Sequence, residues 1–336
     1  MKKSYLAAAV AAAGVGAWWV HRNKKYPLRP ELRFANKLAV PGGALNLYTA
    51  AMANRAMDRL ALPDPPPGVV RSSSQAVAGD GTAISLTLYR PEGTEGTLPC
   101  LVYFHGGGFC LRDHGYIHNY AARYAQGAGC LVVFVHYRTA EAAPFPTPFE
   151  DCYTALRWVW DNASTLEIDR ERIAVGGDSA GGALAAACAL RARDENGPRL
   201  CFQLLIYPVT DSRMETPSME RYTDSPFWNR NLNREMWAMY LQKGDMGTPQ
   251  YAAPMLAQDF SSLPSAYVEV EEFDCLHDEG IAYAGALAAW VPVQLEDVKG
   301  TFHGFDFFAD KKVARVMAEK RIRALRGAFA VCDRRS

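Results

Sequence analysis

Short apolar runs alternate with longer stretches whose apolar positions recur at helical spacing. The runs at residues 84–88, 101–104, 130–135, 173–175, 202–206, 266–270 and 292–295 read as strands. A helical stretch follows at 182–190. The last long one, 311–330, carries Val313, Val316, Met317, Leu325 and Phe329 on one face. Strands that alternate with helices in this way predict an α/β protein, with a mostly parallel central sheet flanked by helices.

The ends of this pattern divide the chain. Lys2 and Lys3 precede an uncharged, alanine-rich run over residues 4–20, closed by Trp18-Trp19 and followed by His21-Arg22-Asn23-Lys24-Lys25. A cleaved signal peptide needs small residues at its site, and Trp18-Trp19-Val20 stand there instead. The run is slightly short for a spanning helix, and alanine is weakly apolar. Two readings stay open: a membrane-associated segment, or a soluble helix that packs on the cap. The positive charge after the run leaves the remainder cytoplasmic in the first case, attached to the inner membrane. A helical stretch at 45–60 runs into Pro63-Asp64-Pro65-Pro66-Pro67-Gly68, a stiff linker. Residues 210–251 interrupt the strand pattern with an aromatic insertion. The expected organisation is an apolar segment at 1–25, a helical cap from 26–70 and 210–251, and a core from 71–209 and 252–336. An aromatic stripe is more often packing than contact, so only one or two of Phe227, Trp228 and Trp237 are expected to face a pocket.

Composition excludes more than it selects. The 336 residues hold 36 Lys plus Arg against 36 Asp plus Glu, so no net charge draws the chain to nucleic acid. Eight cysteines show no C-x-x-C spacing and several sit inside apolar runs, which reads as buried free thiols in a reducing compartment. Cys110 is the one candidate for a reactive thiol, a small apolar filler being the favoured reading. No H-E-x-x-H, phosphate loop or spaced carboxylate cluster implies a metal or nucleotide cofactor. His114 and His118 share a helical face without a third ligand and read as surface histidines.

The chemistry concentrates in a few places. Gly177-Asp178-Ser179-Ala180-Gly181 lies between an apolar run and a helix, which is the pattern of a nucleophile elbow. Its glycines let neighbouring backbone approach a tight turn. His105-Gly106-Gly107-Gly108 follows another strand, and glycine N–H groups there can donate to a developing oxyanion together with Ala180. A base must follow Ser179, and His277 and His303 are the histidines downstream of it. His303 lies in a loop after a strand and is the better base, whereas His277 opens a helix. Asp274 ends a strand and is preferred to Asp278 as the acid that orients His303.

In this order, His105-Gly106-Gly107-Gly108, Gly177-Asp178-Ser179-Ala180-Gly181-Gly182, Phe273-Asp274-Cys275-Leu276-His277-Asp278-Glu279-Gly280 and His303-Gly304-Phe305 resemble the bacterial esterases of the hormone-sensitive lipase family. Tyr207-Pro208 and Pro144-Phe145-Pro146 extend the resemblance. It implies an α/β-hydrolase fold with a helical cap, no metal, no cofactor, and cleavage of carboxylic esters of short to medium acyl chains. It also implies Ser179 as nucleophile, His303 as base, Asp274 as acid, and the N–H groups of Gly106, Gly107 and Ala180 as the oxyanion hole. Phe109, Trp228 and Trp237 are the expected substrate contacts. The chain departs from the family at His136, where an aspartate is usual, at Ala140-Glu141-Ala142-Ala143 before Pro144, and at Arg112, expected to point to solvent. An amidase or deacetylase with the same triad, or a ligand-binding protein on this scaffold, remain alternatives, although such binding proteins typically lose a triad member. The expected partner is a small ester, with a homodimer as a candidate assembly.

Overall fold

The computed structural model describes residues 22–113 and 115–333, so the candidate membrane run at 4–20 and His114 lie outside the described residues. One sheet of eight strands organises them, in the order β1-β2-β4-β3-β5-β6-β7-β8. These are β1 (Val69–Val77), β2 (Ala83–Pro91), β3 (Leu98–Phe104), β4 (Leu131–His136), β5 (Ile168–Asp178), β6 (Phe202–Ile206), β7 (Ser265–Glu271) and β8 (Val293–Val298). β2 runs antiparallel to β1 and β4, and the pairs from β4 through β8 are parallel.

Every residue of β3 is buried, which is why its sequence reads as an unbroken apolar run. Its side chains serve two cores by turns. Cys100, Val102 and Phe104 join one with the helices α3 (Thr147–Asp161) and α4 (Ala180–Asp194). Leu101 and Tyr103 join the other with α2 (Gly115–Ala128) and α9 (Lys312–Asp333). The strand that the hydrophobic pattern does not predict is β1, an edge strand that is mostly exposed and carries Arg71-Ser72-Ser73-Ser74-Gln75.

The helix expected at 45–60 is α1 (Leu47–Met57), started by a capping box between Asn46 and Thr49. The insertion folds as α5 (Pro217–Arg221), α6 (Arg230–Tyr240) and α7 (Pro249–Ala252), and α8 (His277–Ala288) follows β7. The N-terminal stretch and the insertion are tied together. Ala39 bridges Pro226, Phe227 donates its N–H to the Leu38 carbonyl, and Asp224 accepts hydrogen bonds from Arg22, Lys25 and Tyr26. No helix among the described residues is long and apolar enough to cross a membrane. All eight cysteines are free. Burial pushes the Cys110 thiol up to about 12, so it is a filler rather than a nucleophile.

Candidate active site

Parallel strands deliver their C-terminal ends to one edge of the sheet, where α/β proteins build their sites. Between β5 and α4 the backbone of Ser179 adopts φ 56° and ψ −120°. That strained turn is made possible by its flanks. A Cβ at Gly181 would lie 2.0 Å from the Phe104 carbonyl oxygen, and one at Gly177 would lie 2.4 Å from the Gly181 backbone. Neither position accepts a side chain.

Ser179 Oγ lies 2.9 Å from His303 Nε2, and His303 Nδ1 donates to Asp274 Oδ2 at 2.6 Å. Asp274 Oδ1 accepts a further hydrogen bond from the Leu276 N–H, which fixes the carboxylate. All three residues are buried. The competing pair is occupied elsewhere: His277 Nδ1 pairs with Asp278 at 2.7 Å, and Asp278 also accepts the Ser218 N–H.

The glycine loop offers more backbone donors than the two named from the sequence. The Gly106 backbone N–H faces the Asp178 carboxyl, which it favours in its charged form. Among the described residues none accepts from the N–H groups of Gly107, Gly108 or Ala180 outside the helix. Gly106, Gly107 and Gly108 all line the cavity over Ser179, and Gly108, at φ 60°, adds a third N–H to the loop. The third glycine was present in the motif, but spacing alone does not say which N–H turns inward.

A cavity of ≈ 260 Å³ opens above Ser179. Phe227 and Trp228 line it, with Tyr116, Phe307, Leu45 and Met57. The Trp228 ring stands 5.9 Å from His303. Phe109 and Trp237, expected as substrate contacts, do not line it. Phe109 stacks flat on Tyr240 at 3.8 Å and packs against Trp237, so both rings are spent on the core. Arg112 reaches the cavity rim with an exposed guanidinium paired to Asp58 at 2.5 Å.

Below the site lies a buried charge network that no motif announces. Tyr207 packs against His303 and donates to Asp306, which accepts from Arg321 at 2.7 Å; Arg321 also pairs with Glu269. Asp178, beside the nucleophile, accepts from Tyr103 at 2.9 Å. Burial and the charge of Asp306 raise its carboxyl to about 6, against the opposing hydrogen bonds of Tyr103 and Gly106.

For His118 the surface reading is overturned. His118 is 1% exposed, and its Nε2 donates to Asp113 at 2.7 Å while Nδ1 meets the Tyr89 hydroxyl at 2.6 Å. His136 binds the other oxygen of Asp113 at 2.9 Å. Residues distant in sequence meet here, because the antiparallel pair β2–β4 brings Thr87, Tyr89 and His136 beneath α2. Beside them His105 is driven by burial to about 4, so its imidazole is neutral.

The chain is similar to known proteins. A family model described as alpha/beta hydrolase fold matches residues 101–307. The carboxylesterase NlhH of Mycobacterium tuberculosis is 40% identical over 71% of this chain and 77% of its own length. The esterase LipI of the same organism is 36% identical over 73% and 78%. Among solved structures, a bacterial heroin esterase superposes with TM-score 0.81 at 35% identity, covering 90% of this chain and 99% of its own. The family model spans more than half of the chain and the relatives more than two thirds of it, so the chain belongs to the α/β-hydrolase family, and within it to the hormone-sensitive-lipase-type carboxylesterases.

Proposed function

We propose that Ser179, His303 and Asp274 hydrolyse carboxylic esters of short to medium acyl chains through an acyl-enzyme. The observation that carries this reading is the unbroken line Ser179 Oγ–His303–Asp274, at 2.9 and 2.6 Å. His303 Nε2 takes the hydroxyl proton as Ser179 attacks the ester carbonyl, and Asp274 stabilises the imidazolium. The oxyanion is held by the N–H groups of Gly107, Gly108 and Ala180, the last at the positive end of α4. His303 then protonates the leaving alcohol. Water activated by the same imidazole releases the acid and restores Ser179.

The acyl limit rests on the aromatic wall of the cavity. Residues 26–70 and 210–251 act as the cap, supported by the bridge between Ala39 and Pro226 and by cavity residues from both stretches. The apolar run at 4–20 would hold the enzyme at the cytoplasmic face of a membrane. Flanking lysines and free thiols support that reading.

The test is labelling by a fluorophosphonate followed by peptide mapping. Modification of Ser179 with loss of p-nitrophenyl butyrate turnover is expected. An unlabelled, folded protein would count decisively against a nucleophilic serine.

A further inference from the structure

We propose that Asp113, His118 and His136 form a binding site for one divalent transition-metal ion of the zinc class, beside the ester-cleaving site and separate from the triad. Their ligand atoms, one carboxylate oxygen and two imidazole nitrogens, all lie within 4.8 Å of one another. Zinc takes such nitrogen and oxygen donors at about 2.0–2.2 Å, which places tetrahedral ligands on the order of 3.3 Å apart. His118 Nε2 and His136 Nδ1 sit 2.7 and 2.9 Å from the two oxygens of Asp113, so an ion enters by opening these contacts and drawing the ligand atoms, now within 4.8 Å of one another, to that spacing.

The surroundings suit a metal in a second respect. A ligating imidazole must present a lone pair to the ion, so its other nitrogen carries the proton and needs an acceptor. His118 Nδ1 has the Tyr89 hydroxyl oxygen at 2.6 Å, and His136 Nε2 has Thr87 Oγ1 at 2.8 Å. Both rings are therefore oriented from behind by oxygens, and each can shift its proton outward without losing it to solvent. The rings stack at 25° with centroids 5.7 Å apart, so neither swings away easily. Two imidazoles and a carboxylate leave a coordination position for water.

Access is direct, because Asp113 lines the substrate cavity and the His136 side chain is 25% exposed. Occupancy would be felt in catalysis. His105, which begins the glycine loop, has Nε2 3.9 Å from Asp113 Oδ1. Drawing the carboxylate toward an ion shifts a neighbour of the oxyanion donors, so the ion should inhibit ester cleavage rather than assist it.

The experiment is calorimetric titration of the full-length, chelator-treated and desalted protein with Zn²⁺. Elemental analysis after dialysis supplies the stoichiometry. One equivalent should bind at micromolar or tighter affinity. His136→Asn and His118→Gln should each weaken it at least tenfold. His136→Asn should turn over a soluble ester within about twofold of wild type when metal-free, which establishes its folding, and should lose most of the Zn²⁺ inhibition. Co²⁺ in place of Zn²⁺ should give visible d–d absorption that disappears in the same variant. Failure of wild type to bind a stoichiometric ion, or binding undiminished in both variants, would overturn the site. Inhibition that persists in His136→Asn would move the inhibitory ion elsewhere and overturn the coupling to the glycine loop.

Discussion

The rings of Tyr207 and His303 meet at 61° with centroids 4.7 Å apart, and the Tyr207 hydroxyl is tied to Asp306. Asp306 depends in turn on Arg321 of α9, a guanidinium only 1% exposed, so the wall that confines the imidazole is anchored from the last helix. Arg321→Met leaves Asp306 and Glu269 buried without their cation and should cost about 3–5 kcal/mol in urea denaturation. Tyr207→Phe keeps the ring and loses one hydrogen bond, about 1 kcal/mol, with kcat within about tenfold of wild type. If Tyr207→Phe is as inactive as Tyr207→Ala, the ring is not what positions His303.

Ser179→Ala and His303→Ala should each lower ester turnover by roughly 10³–10⁶-fold, and the double variant should be scarcely worse, because the two act as a unit. His277→Ala should stay near wild-type rate, since its imidazole is engaged with Asp278. Steady-state kinetics on p-nitrophenyl butyrate read both. Additive losses would break the unit.

Much of this was legible in the chain, and the gaps have physical causes. Strands buried on both faces leave continuous apolar runs, so β3 through β7 are readable, while the solvent-facing edge β1 leaves none. The triad is legible because each member sits in a short loop after a strand. What stays hidden is direction. Residue spacing says neither that Gly106 turns toward Asp178 nor that Phe109 turns its ring onto Tyr240. The Arg321 network and the Asp113 cluster join side chains far apart in sequence, and no local pattern encodes such meetings.

Trp228 and Trp237 separate wall from core. Each methylene buried in an apolar slot gains about 0.8 kcal/mol and gains nothing past the wall. In a p-nitrophenyl ester series below micelle-forming concentrations, esters of about two to eight carbons should be cut fastest. Trp228→Ala, which opens the cavity, should move the optimum to longer chains. Trp237→Ala should lower the melting temperature without moving the optimum. Palmitate as the fastest wild-type substrate would refute the wall.

Asp178 links stability to pH. Its carboxyl is raised to about 6 in the folded chain from an ordinary 3.8, so between those values the folded state holds the proton more tightly. Its contribution to stability is greatest below pH 4, falls as pH rises to about 6, and is level above. The full loss is about 3 kcal/mol. Asp178→Asn cannot ionise, so its deficit relative to wild type should shrink by about 2 kcal/mol between pH 4.5 and 7.5. An unchanged deficit across that interval would show that this carboxyl is not raised.

The backbone of Ser179 has a bearing on how this enzyme can be altered. A residue with a side chain held at φ 56° and ψ −120° is strained, and glycine would relax that turn. Heat tolerance and turnover therefore pull in opposite directions at one codon. A directed-evolution campaign that screens only for survival at high temperature would enrich glycine at position 179 and deliver robust, inert protein. Ester cleavage has to be scored in every round.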